Sequence, residues 1–128
     1  MTRLSVISLV LLLAACDAGT RGLGDVPASR QQVEGAVFNV YASGDLAQAV
    51  RINRQFAPRI GPLAGQAAVA IQQATGCRVT EIAGDAAVLV GRLQCPSKVP
   101  ACQVDAVLKG PRGASLPVIR RCSQTGSS

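Results

Sequence analysis

Four cysteines stand in the C-terminal half of the chain, at positions 77, 95, 102 and 122. Their spacing limits the fold more than any other feature. Cys77–Ile82 and Ala87–Cys95 read as strands around a Gly84-Asp85 reversal. Cys102–Leu108 alternates Cys102, Val104, Ala106 and Leu108 against Gln103 and Asp105, and Leu116–Cys122 can return antiparallel after the loop Lys109–Ser115. Count alone leaves three pairings open, and register chooses among them. A three-residue turn, Gly84 to Ala86, sets Cys77 opposite Leu93, with Ile82 near Val88 and Thr80 near Val90. Cys95 is then one diagonal step from Cys77 on the same face; a one-residue slip would turn the two apart. Folding the second hairpin about Arg112 sets Leu108 against Leu116 and Cys102 against Cys122. The expected disulfides are therefore Cys77–Cys95 and Cys102–Cys122, and a Cys95–Cys102 crosslink would contradict them. The chain has no Cys-x-x-Cys redox pair and no closely spaced cysteine knuckle, so neither a thioredoxin-like centre nor a metal site is expected.

A chain of this composition needs such crosslinks. It has 128 residues, no histidine or tryptophan, two phenylalanines and one tyrosine. Alanine, valine and leucine must fill the core, and small domains bury too little surface to be robust.

Ahead of this domain lies an apolar run of about ten residues, Leu4 to Leu13, preceded by Arg3. A membrane-crossing helix needs about 20. A basic start, a short apolar stretch and then small residues form the signal-peptide pattern. Leu13-Ala14-Ala15-Cys16 resembles the lipobox of bacterial lipoproteins, and the chain as a whole resembles small envelope lipoproteins of Gram-negative bacteria. The resemblance implies that residues 1–15 are a signal peptide and that Cys16 becomes the lipidated, palmitate-type-acylated first residue. It implies a periplasm-facing protein held to the bilayer by two or more chains, enough for stable anchoring. Such a compartment favours structural disulfides. Asp17 is similar to the inner-membrane retention signal of enteric lipoproteins.

Residues 16–34 lack a hydrophobic period and read as a flexible tether. A single domain over 35–122 follows, and 123–128 is a polar tail. Ala36–Tyr41 reads as a strand. Leu46–Ile52 reads as a short helix, with a strand around Val50–Ile52 as the alternative. Gly61–Thr75 is the clearest helix: Pro62 suits its first turn, Leu63, Ala67 and Ile71 repeat at four, and Gly76 suits the C-terminal cap. Its alanines imply close approach to a sheet. The expected fold is α+β, a small, mostly antiparallel sheet with one main helix packed on one face.

The charge is uneven. From Arg51 onward there are ten bases and three acids. For an exported lipoprotein this basicity points away from nucleic acid and toward anionic envelope polymers, lipid head groups or an acidic protein face. The candidate anion-binding residues are Arg51, Arg54, Arg59, Arg120 and Arg121. The absence of histidine removes Ser-His-Asp and Cys-His chemistry. The carboxylates Asp45, Glu81, Asp85 and Asp105 have no neighbours that suggest a raised pKa. Gly61–Gly65 lacks the lysine of a phosphate-binding loop. No catalytic residue, cofactor or metal is expected. The expected role is non-catalytic: a protein-interaction or structural accessory factor, or alternatively a module for an anionic envelope ligand. The first predicts an exposed apolar patch; the second predicts arginines converging on one concave surface.

Overall fold

The computed structural model describes residues 28–53 and 59–122. The lipobox with Cys16, most of the expected tether, Arg54 and the 123–128 tail lie outside the described residues. The elements are β1 Ser29–Val33, β2 Ala36–Ser43, β3 Leu46–Arg51, α1 Ile60–Thr75, β4 Arg78–Gly84, β5 Val88–Gln94, β6 Val104–Lys109 and β7 Ser115–Arg120. The strands form one sheet in the order β1-β2-β3-β5-β4-β6-β7. Every pairing is antiparallel except β4 with β6, which run parallel. The class is α+β, as expected.

Period-two alternation builds the N-terminal strands. On β2, Ala36, Phe38 and Val40 are buried while Val37, Asn39 and Tyr41 are half-buried. Two expectations are corrected here. Leu46–Arg51 is a strand, not a short helix: Ala47 and Ala49 are buried two residues apart, and the segment pairs with β2 on one side and β5 on the other. Long-range pairing overrides a local pattern that fits either period. The tether does not extend to residue 34, because Ser29–Val33 pairs with β2 as an edge strand. An edge strand needs few apolar residues, and in β1 only Val33 is buried. The reversal between β1 and β2 uses Glu34 at φ 50° and Gly35 at φ 84°, the left-handed pair of a tight hairpin turn.

The helix packs against the sheet. Pro62 is in its first turn, and Gly76, at φ 70°, ends it with its N–H donating to the Gln72 carbonyl. Nine of its sixteen residues are buried, spread around most of its circumference. Alanine and glycine permit this, since larger side chains would hold the strands away. The helix touches every strand, including both outer ones, β1 and β7. Phe38, Leu63, Ile71, Val79, Ile82, Leu89 and Val104 fill the space between helix and sheet, each stabilising by about 1.5–3 kcal/mol on burial. Gly91 lets the helix come close: a Cβ there would lie 3.1 Å from Ile71 Cδ1 and 3.2 Å from Val79 Cγ1.

Among the described residues, one polar side chain is buried in this core. Gln72, 2% exposed, donates from Nε2 to the carbonyls of Ala101 and Gln103, both at 2.8 Å, and its Oε1 accepts from Val79 N–H at 3.1 Å. It ties the helix to β4 and to the segment that leads into β6. Its polar groups are thereby satisfied, as a buried amide requires.

The two disulfides are Cys77–Cys95 and Cys102–Cys122, with Cα separations of 4.5 and 5.1 Å. In the second hairpin Leu108 faces Leu116 and Val104 faces Arg120, the expected register. The first hairpin differs. Val79, not Cys77, faces Leu93, and Ile82 faces Gly91 rather than Val88. Thr80 is the extra residue of a bulge, so it has no partner near Val90. Asp85 causes the longer reversal: its Oδ1 accepts from the N–H groups of Ala87 and Val88 at 2.8 and 2.9 Å, and its own N–H donates to Val88 O. The shift is even at the cysteine end, so Cys77 and Cys95 keep a common face.

Candidate functional site

The α1 N-terminus and the β6–β7 hairpin together form an apolar groove. It comprises two hollows, of about 570 and 470 Å³, that share Leu108 and Leu116. The first turn of α1 supplies Ile60, Gly61 and Pro62; the hairpin loop supplies Pro111 and Ala114; β7 forms the rest of the wall. Leu116 and Ile119 on β7 are each 60% exposed, the most of any large apolar residues among the described ones. The hairpin loop is held by Gly110 N–H to Ala114 O at 2.8 Å, and Arg112 takes φ 60° at its apex.

β7 is also an outer strand, and Pro117 sits in its middle opposite Val107. Proline has no N–H, and within sheets it is tolerated at edges, where it hinders pairing by a further strand.

Electrostatics at the groove centre on Arg120. Its aliphatic stem lies over Gly65, where a Cβ would come 2.9 Å from Arg120 Cδ. Its guanidinium donates to the carboxylate of Glu34 in the β1–β2 turn. The hydrogen bond from Arg120 holds the Glu34 carboxyl below its usual range; desolvation acts the other way, and Arg120's charge and a hydrogen bond from Gln66 add to the lowering. Lys109 is the other charged residue of the lining.

Among the described residues, the arginines expected to bind an anion stand on different elements. Arg51 ends β3, Arg59 precedes α1, Arg120 is paired with Glu34, and Arg121 follows β7 as an exposed residue. The carboxylates are equally dispersed in role. Asp45 and Glu81 lie 4.0 and 3.9 Å from Arg92 on the uncovered face of the sheet, Asp85 shapes the β4–β5 turn, and Asp105 is exposed on β6. Among the described residues no cluster of three or more metal-ligating side chains occurs, and no helix is long and apolar enough to cross a membrane.

Leu116, Ile119 and Glu34 were not singled out by sequence reasoning. The available signal was Leu116-Pro117-Val118-Ile119, a short apolar run interrupted by proline, which suits an exposed edge better than a central strand. Searched against protein-family models, curated proteins and solved structures, the chain matches none.

Proposed function

We propose that this chain is a lipid-anchored protein of the bacterial envelope with a non-catalytic, protein-binding role, and that its partner docks in the groove beside β7. The observation that carries the reading is the exposed apolar wall, Leu116 above all, over a preformed hollow. Exposed apolar surface around a concavity marks interaction sites. The anchor rests on the resemblance of Leu13-Ala14-Ala15-Cys16 to a lipobox, and two structural disulfides suit an oxidising compartment. Asp17 favours the inner membrane.

The partner's chemistry follows from the lining. It is a protein segment presenting apolar side chains with carboxylates beside them. Glu34, the acid of the groove, is already held by Arg120, which leaves Lys109 and the excess of basic residues from Arg51 onward to favour an acidic flank. Pro117 disfavours strand addition, so recognition runs through side chains. An anionic ligand bound through Arg51, Arg54, Arg59, Arg120 and Arg121 is the weaker reading, because Arg120 is engaged with Glu34.

The test places a photocrosslinking residue at position 116 of the full chain in cells, with position 32 on β1 as control. The expected result is an adduct from 116 and not from 32, with apolar residues next to Asp or Glu in the crosslinked peptide, lost with Lys109→Glu. Equal adducts from both positions, a self-crosslink or a lipid adduct would overturn the docking assignment. For the anchor, Cys16→Ser should release the protein from membranes; undiminished acylation and retention would overturn it.

A further inference from the structure

A second hollow, of about 310 Å³, lies where β4 begins and β5 ends, lined by Arg78 and the segment Gln94–Val99. We propose that it binds the dianionic phosphate of a phosphomonoester, independently of the groove beside β7.

Three observations converge. The first is Arg78 itself. Its Nε is buried and has no hydrogen-bond partner among the described residues. A buried guanidinium N–H left unpaired is costly, and such exceptions call for a ligand or a specific role. The second is charge. Arg78 and Lys98 line the hollow, and its lining holds no carboxylate. Neither cation has a carboxylate within 4.0 Å among the described residues, whereas Arg92 has Asp45 and Glu81 and Arg120 has Glu34. The third is rigidity. The Cys77–Cys95 disulfide fastens one end of the segment to the start of β4. Ser97 N–H donates to Gly76 O at 3.0 Å, and Ser97 Oγ donates to Val99 O and accepts from Val99 N–H at 3.0 and 3.2 Å. The cations therefore stand on a frame that need not reorganise to bind.

Two uncompensated cations suit a group with nearly two negative charges at neutral pH, and a phosphomonoester has them. The guanidinium supplies directed donors for phosphate oxygens while lysine acts as a point charge. Gln94, also in the lining, carries an amide N–H donor. The same dianion could come from a soluble phosphomonoester or from the head group of phosphatidic acid.

The experiment titrates the full chain with inorganic phosphate at low salt, following amide NMR shifts, and in parallel measures binding to phosphatidylcholine vesicles with and without phosphatidic acid. Arg78→Gln and Lys98→Gln are compared with Arg30→Gln, an exposed arginine on β1. Lys98 is an exposed loop residue, so its variant keeps the test valid if Arg78→Gln fails to fold. The expected result is saturable shifts at Arg78 and Gln94–Val99, with affinity reduced about tenfold or more by either site variant and unchanged by Arg30→Gln. A response to phosphate assigns the soluble source, and one only to phosphatidic acid assigns the lipid. A response that Arg30→Gln weakens equally, or none that depends on Arg78 and Lys98 in either arm, overturns the proposal.

Discussion

Arg120 on the last strand donates to Glu34 in the first turn, a contact between residues 86 apart in sequence. It joins the two margins of the sheet across the start of α1. Glu34 is exposed enough for solvent to weaken the pair, whose expected contribution is at most about 1 kcal/mol. Its sign with pH is definite. The folded-state pKa of Glu34 lies below its ordinary value, so the stabilisation is complete above the ordinary value and is lost as pH falls through the folded one. Denaturant unfolding at a series of acidic pH values should show a shallower acid-side loss for Glu34→Gln than for the native chain. Identical slopes would show that the ion pair contributes nothing.

Gln72 makes a stronger prediction. Replacing it with leucine removes the partners of the Ala101 and Gln103 carbonyls and of the Val79 N–H. The buried Val79 N–H left unsatisfied costs about 1–3 kcal/mol, and the two part-buried carbonyls add to it. Urea unfolding of Gln72→Leu should show a midpoint well below that of an exposed control such as Gln73→Leu, despite the added apolar surface.

Gly84 should tolerate no side chain. At φ 139° a Cβ would lie 2.2 Å from the carbonyl oxygen of Val88, so both backbone conformation and contact oppose substitution. Gly84→Ala should destabilise by at least about 1–3 kcal/mol, the usual cost of such strain, with amide shifts concentrated at the β4–β5 turn. Gly44→Ala is a useful comparison, since no atom lies within 4 Å of its added Cβ, leaving only the strain of its own φ of 60°.

The disulfides close segments with sequence separations of 18 and 20. Each should contribute about 3 kcal/mol by restricting the unfolded chain. Paired Cys→Ser variants, Cys77/Cys95 and Cys102/Cys122, should each lower thermal stability, and a non-reducing peptide map should recover the two hairpin crosslinks and no Cys95–Cys102 peptide.

Legibility in the sequence followed how local each decision was. The β6–β7 register was readable because alternation, a Gly-Pro loop and two cysteines all agree on Arg112 as the pivot. The main helix was readable from Pro62, Gly76 and the four-residue repeat. The β4–β5 register was not, because Asp85 captures two backbone N–H groups and lengthens the turn, and Thr80 bulges. β3 was misread because its alanines fit a helix as well as a strand, and only pairing with β2 and β5 decides. β1 was invisible as an edge strand with one buried side chain. Neither hollow was legible: the groove joins α1 to β7, and Arg78 and Lys98 line one hollow from opposite ends of the first hairpin and its following loop.

The two crosslinks never interleave, since Cys77–Cys95 is complete before Cys102 is reached along the chain. A chain that enters an oxidising space from its N-terminus therefore exposes each cysteine pair in the order in which it is joined. In such a space, joining consecutive cysteines of this set as they emerge would give Cys77–Cys95 and Cys102–Cys122 without any reshuffling of bonds.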